Sequence, residues 1–171
     1  MLKLKENIEK KSFMAMLDIC FKYSTYFSLT ESPIKDYAQS EEYIKFLEGL
    51  SQFYIKTIET QHWFCYYVPK GHEKKVFLFK ADKKAQTIIQ SHFDNIYLRE
   101  RKGNEFGNIK KTPEDLCFFI GNKLFVGTVS HEDICYAYPF SEAIKKEIMS
   151  LAEWNTIEFD YREQIVLNFN E

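Results

Sequence analysis

The chain has 171 residues, and its 23 basic and 25 acidic residues leave a formal net charge of −2. This balance gives no overall electrostatic attraction to nucleic acid or to an anionic membrane, so we expect neither as a partner. A chain of this length fits one domain, residues 1–171, which needs neither a disulfide nor a metal for stability. The aromatic residues, with 16 Phe and 11 Tyr, are expected to supply much of the buried area.

The amino-terminal residues carry both signs of charge, which predicts no secretory signal. Asp18 interrupts the apolar patch 13–21, and no apolar run approaches the ~18 residues of a membrane span. Apolar neighbours surround the four cysteines, which is typical of buried thiols in a reducing compartment, although the even count also allows a disulfide. The cysteines are Cys20, Cys65, Cys117 and Cys135. We therefore predict a cytoplasmic protein.

In the first half of the chain, helical spacing of apolar residues predicts a helix over 6–23 and a second one capped by Ser40. Alternation over 53–60, with Phe53, Ile55 and Thr57 on one side, predicts a half-buried strand, and continuation of the preceding helix is the alternative. The aromatic runs 63–68 and 76–79 predict a hairpin joined by the polar loop 70–75.

The second half reads mainly as hairpins. Gly121-Asn122 between two apolar runs is a strong two-residue turn signal. The predicted elements are a helix over 82–93, a strand over 94–98, a long loop over 99–113, a hairpin of 116–120 with 124–129, a strand over 134–138, a helix over 141–151 capped by Ser141, and a closing hairpin of 154–159 with 164–169. This order predicts an α+β fold in which a mostly antiparallel sheet, built from hairpins, carries helices on one face.

The same periodicity places eight large apolar side chains on inward faces. They are Phe13, Met16, Leu17, Phe77, Phe79, Phe118, Phe125 and Val129. We predict that they belong to one core.

Two polar segments are the first places to look for chemistry. The segment 130–133 sets His131 beside Glu132 and Asp133, a grouping suited to acid–base work or to a metal, or simply to a polar turn. Glu114 and Asp115 could bind a cation, but a carboxylate pair just before a strand is more typical of a solvated entry turn, which we favour.

Other kinds of site are less well supported. A thiol–imidazole pair would need an exposed thiolate, and core packing explains Cys65, Cys117 and Cys135 better. The aromatic and basic residues of 66–75 resemble a single-strand stacking surface, but core burial explains them equally well. The chain contains no P-loop, GxGxxG, GxSxG, HExxH or EF-hand motif. We therefore predict no cofactor, no metal site and no assigned catalytic residue.

A small domain rich in Tyr, Phe and Trp, without a catalytic motif, is typical of a protein-binding module. Recognition usually lies on loops, here 70–75, 99–113 and 130–133. The predicted binding residues are His72, Arg101, Phe106, His131, Glu132 and Asp133. The alternative is a small cytoplasmic enzyme, a hydrolase or transferase, with a dispersed site around His131 and Glu132.

The segments WFCYYVP, PEDLCFF and GTVSHEDIC, together with the size of the chain, resemble the small α+β immunity proteins of bacterial polymorphic and contact-dependent toxin systems. This resemblance implies a protein partner, a cognate toxin, that is neutralised when its active site or a nearby surface is covered. The near-neutral charge departs from the strongly acidic surface of an inhibitor of a basic nuclease. The resemblance assigns a role to no individual residue.

Overall fold

The structure, a computed structural model, describes residues 1–32, 38–64, 66–102, 105–109, 111–160, 162 and 164–167. Its helices are α1 (Lys10–Tyr23), α2 (Glu41–Leu50), α3 (Lys83–His92) and α4 (Glu142–Met149). Its strands are β1 (Leu2–Leu4), β2 (Tyr26–Thr30), β3 (Tyr54–Thr60), β4 (His62–Trp63), β5 (Tyr66–Tyr67), β6 (Lys74–Lys80), β7 (Arg99–Lys102), β8 (Glu105–Ile109), β9 (Glu114–Ile120), β10 (Lys123–Val129), β11 (Ile134–Ala137) and β12 (Trp154–Thr156).

Eight of these strands form one sheet in the order β12-β1-β11-β10-β9-β2-β6-β3, and every neighbouring pair is antiparallel. Two short ladders, β4–β5 and β7–β8, lie outside it. The predicted α+β class with a mostly antiparallel sheet is therefore confirmed.

Side-chain alternation along the strands divides the interior into two layers. On one face, Leu116 and Phe118 of β9 pack with residues of all four described helices, as predicted. On the other face, Cys117 and Phe119 pack under Trp63 and the carboxy-terminal Leu167. The second face is thus covered by irregular segments, which the sequence did not predict.

Local capping explains why the helices begin where they do. The side chain of Ser40 accepts from the Tyr43 amide at 3.2 Å, and that of Ser141 accepts from the Ile144 amide at 3.3 Å, so both predicted caps are confirmed. Helix α1 begins later than predicted because the preceding segment pairs with another part of the chain. The Ile96 amide donates to the Ile8 carbonyl at 2.9 Å.

The predicted hairpin of 63–68 with 76–79 is wrong. Strand β6 lies between β2 and β3, and Lys74 faces Thr60. The intervening residues form an excursion in which β4 pairs with β5. The reason is that β3, with seven residues, can form a longer ladder with β6 than the run 63–68 can. Trp63 instead covers the second face of the sheet, where its ring centroid lies 5.9 Å from that of Phe119.

The region 53–60 is a strand and not a continued helix, but its inward side was misassigned. A bulge between Tyr54 and Lys56 inserts Ile55 as an extra residue and reverses the alternation. Ile55 is consequently 40% exposed, and the half-buried side runs through Ile58.

Three further predictions are corrected. Residues 94–98 form a turn rather than a strand, because the Asn95 side chain bonds both the amide and the carbonyl of Arg99. The segment 99–113 contains the β7–β8 hairpin rather than one long loop. The closing hairpin is also wrong, since β12 pairs with β1 and Val166 bridges to Lys123. Residues 168 and 169 lie outside the described residues.

The predicted core is confirmed for most of its members. Those in one buried cluster are Phe13, Met16, Leu17, Phe79, Phe118 and Phe125. Phe77 is only partly buried against that cluster, and Val129 is buried but lies outside it. Among the described residues, no helix combines the length and apolarity needed to cross a bilayer.

The described cysteines Cys20, Cys117 and Cys135 are buried thiols outside any disulfide, and burial raises the pKa of the Cys20 thiol. Cys65 lies outside the described residues. We therefore expect a Cys65→Ser variant to react slowly with a thiol reagent while folded, because a buried neutral thiol is a poor nucleophile. Absorbance during titration under non-reducing conditions measures the rate, and a denatured sample gives the control. Modification of a native thiol at the denatured rate would contradict this expectation.

Candidate functional site

Antiparallel pairing brings the ends of five neighbouring strands, β11, β10, β9, β2 and β6, to one end of the sheet. Thr30, the last residue of β2, faces both Val76 of β6 and Glu114 of β9. Val129, the last residue of β10, faces Ile134 at the start of β11. We call the polar residues gathered here the polar end, and they are Lys74, Arg99, Glu114, Asp115 and the turn 130–133.

Glu114 and Asp115 lie at the bottom of the polar end, and both are 0% exposed. The predicted solvated entry turn is therefore wrong. Strand β9 runs between β2 and β10 in the interior of the sheet, and the preceding Thr112 and Pro113 are buried as well. The flanking strands β2 and β10 exclude solvent from these carboxylates, and a local sequence pattern does not reveal such neighbours.

Asp115 ties β9 to the turn above it. The carboxylate Oδ1 of Asp115 accepts from the Ser130 amide at 2.7 Å, and the Asp115 amide donates to the Ser130 hydroxyl at 3.1 Å. Asp115 has φ of 54°, in the left-handed region that aspartate tolerates better than most residues. The reciprocal bonds fix the start of the short 3₁₀ turn 130–132.

Glu114 is held differently. Among the described residues, none donates a hydrogen bond to either of its carboxylate oxygens. Among the described residues, the Lys74 ammonium Nζ lies 3.9 Å and the His131 imidazole Nδ1 lies 4.0 Å from Oε1. Burial and, secondarily, the negative charge of Asp115 raise the pKa of Glu114 to about 8 against the opposing attraction of Lys74. This carboxyl group consequently retains a proton at neutral pH.

The turn above the carboxylates is open to solvent. The His131 side chain is 42% exposed, and its Nε2 lies 3.9 Å from Oε1 of the exposed Glu132. Asp133 instead forms an ion pair with Arg99 at 2.9 Å. Arg99 also donates to the Ser130 carbonyl at 3.2 Å, so this cation holds the turn at two points.

The structure brings the three predicted binding segments to the same end of the sheet. His72 lies exposed in the loop just before Lys74, but it takes part in neither of the ion-pair groups described above. Arg101 and Phe106 are backbone partners in the hairpin that begins at Arg99, and their side chains lie outside the described part of the structure. Glu114 and Asp115, which the sequence assigned to a solvated turn, are the buried members of the group.

Chemically, the group offers two capabilities. Glu114, Asp115 and His131 each present a ligand atom, and these atoms lie within 4.8 Å of one another. A protonated carboxyl group beside an imidazole can also exchange a proton. No family model matches the chain, and comparisons with curated proteins and with solved structures find no match.

Proposed function

We propose that the protein is a protein-binding module that acts in the bacterial cytoplasm as an immunity protein, neutralising a toxin by direct binding through the polar end. The observation that supports this proposal is the turn 130–133, in which residues 131–133 are exposed while Asp115 binds its first residue and Arg99 pairs with its last. Side chains that are ordered before binding lose less conformational entropy when a partner arrives.

The composition of the turn fits recognition of a polar surface. His131 and Glu132 are exposed, whereas the backbone that carries them is fixed by buried hydrogen bonds. A cleft beside the turn widens the available surface, and its walls are Lys5, Glu6, Asn7, Tyr97, Arg99 and Asp133. Loops on a rigid scaffold are a common solution for recognition.

The test uses the product of the reading frame immediately upstream of the gene as the candidate toxin. We expect the wild-type chain to bind it and to restore growth of cells that produce it. The double variant His131→Ala/Glu132→Ala is expected to bind at least about tenfold more weakly, a loss of roughly 1.4 kcal/mol. Its stability should change by about 0.5 kcal/mol or less, because both residues are exposed. Asp133 is left intact because it has φ of 55° and pairs with Arg99.

The matched control is Asn122→Ala/Lys123→Ala, which changes two exposed residues at the opposite end of β10. It should bind like the wild type. Equal weakening by both double variants would show that the polar end is not the interface. Absence of both binding and growth rescue by the wild-type chain would contradict the immunity role.

A second candidate function is a small hydrolase or transferase, and the raised pKa of Glu114 beside His131 is the observation that favours it. In this alternative, Glu114 takes the role of acid–base partner to His131 that the sequence had suggested for Glu132. Under this alternative, Glu114→Gln would abolish turnover of a panel of activated esters and phosphates. Under the binding function, the same variant would leave the Kd for the toxin unchanged.

A further inference from the structure

We propose that Glu114, Asp115 and His131 form a binding site for a divalent transition-metal ion, with Zn²⁺ the best match. The site shares His131 with the proposed recognition surface, but zinc binding does not require the toxin and is measured without it. Its three ligands come from two adjacent strand ends, the start of β9 and the turn after β10.

The distances suit a single ion after a small adjustment. The three ligand atoms lie within 4.8 Å of one another. Tetrahedral zinc with bonds of about 2.0–2.2 Å places its ligands roughly 3.4 Å apart. The two carboxylates are fixed by burial, whereas the imidazole is 42% exposed and has room to turn toward them.

An independent observation supports a cation ligand at this position. Glu114 is wholly buried, yet no hydrogen-bond donor among the described residues reaches its oxygens. Lys74 lies 3.9 Å away, beyond hydrogen-bonding distance. Ionising this buried group without donors is energetically costly, and a directly coordinated metal ion offsets that cost while displacing the proton that the group otherwise retains.

The surrounding contacts are those that orient metal ligands. The Ser130 amide, 2.7 Å from Oδ1, fixes the Asp115 carboxylate. His131 directs Nδ1 toward Glu114 and Nε2 toward Glu132, at 4.0 and 3.9 Å. A carboxylate hydrogen-bonded to the second ring nitrogen selects the tautomer of a ligating imidazole, and Glu132, now 3.9 Å away, would take this positioning role once His131 turns and the distance shortens.

The donor set selects the class of metal. Mg²⁺ and Ca²⁺ prefer oxygen ligands throughout, whereas imidazole nitrogen with carboxylates suits zinc and its first-row neighbours. Three protein ligands also leave one coordination position open, as in zinc sites that bind a further molecule.

The experiment is calorimetric titration of zinc chloride into the chelator-treated full chain, with magnesium chloride as the comparison. We expect one zinc ion per chain and no competition from magnesium. Asp115→Asn and His131→Ala should each weaken zinc binding at least about tenfold, since even residues behind the ligands commonly cost 10–100-fold. His72→Ala removes an exposed histidine from the neighbouring loop and should leave the affinity unchanged.

Thermal unfolding supplies a second readout. Zinc should raise the Tm of the wild type and of His72→Ala, but not that of the ligand variants, because an ion that binds only the folded state stabilises it. If Asp115→Asn fails to fold, Glu114→Gln replaces it as the test, since no described donor to that carboxylate is lost. Wild-type zinc affinity in either folded carboxylate variant would overturn the proposal, as would an equal loss in His72→Ala.

Discussion

Replacing Phe118 with alanine is expected to lower the free energy of unfolding by about 3–5 kcal/mol. Phe118 is 0% exposed on the central strand β9, beneath α1. Its ring centroid lies 5.1 Å from that of Phe21 in an edge arrangement and 6.2 Å from that of Phe27. Because the sheet and helix α1 hold the side chains around Phe118 in place, the cavity left by the substitution collapses little. The variant therefore loses the free energy of burying the ring and also bears the cost of the remaining cavity.

Urea denaturation measures this loss, and Phe140→Ala is the matched control. Phe140 also contacts two rings, those of Tyr23 and Phe125, but is 57% exposed. The same substitution there should cost about 1 kcal/mol or less, because little area leaves solvent on folding. Phe77→Ala should fall between the two, since Phe77 is partly buried. A loss below about 1 kcal/mol for Phe118→Ala would contradict the central position of β9.

Elements defined by their own residues were predictable from the sequence. Ser40 and Ser141 cap their helices with local hydrogen bonds, and Gly121 at φ of 57° makes a turn that needs no distant partner. Strand partners were not predictable in the same way. By sequence pattern, either the run 63–68 or β3 could pair with β6, and in the folded chain β6 pairs with β3. The three-residue β1 exists only because β11 and β12 flank it.

The proximity of the residues in the candidate site was predictable from the sequence, but the burial of Glu114 was not. The correctly predicted β9–β10 hairpin pairs Gly127 with Cys117, and extending that register places Glu114 near Ser130. The proximity of Glu114 and Asp115 to the turn 130–133 could therefore have been predicted from the sequence alone. The burial of Glu114 could not, because it depends on β2 and on Lys74 of β6, which reach β9 through long-range pairing.

The stability of the metal-free protein is expected to fall as pH rises from about 5 to 8 because of Glu114. Its pKa is about 8 in the folded chain, against an ordinary value of 4.5 that applies when the chain is unfolded. The folded state therefore binds more protons over this interval, and the linkage relation then requires stability to decrease with rising pH. The full effect approaches about 3–5 kcal/mol, since each pKa unit corresponds to 1.36 kcal/mol.

Glu114→Gln isolates this contribution, because glutamine has the same shape and does not ionise. Burial raises the pKa of the nearby Tyr43 hydroxyl, so that group does not contribute to the interval. The free energy of unfolding is measured by urea denaturation at pH 5, 6, 7, 8 and 9 in the presence of a chelator. We expect the variant to become more stable relative to the wild type as pH rises. The exposed Glu132→Gln should follow the wild type instead. Parallel curves for the wild type and Glu114→Gln would mean that the Glu114 carboxylate is already ionised in the folded protein, with an adequate cation or donor beside it.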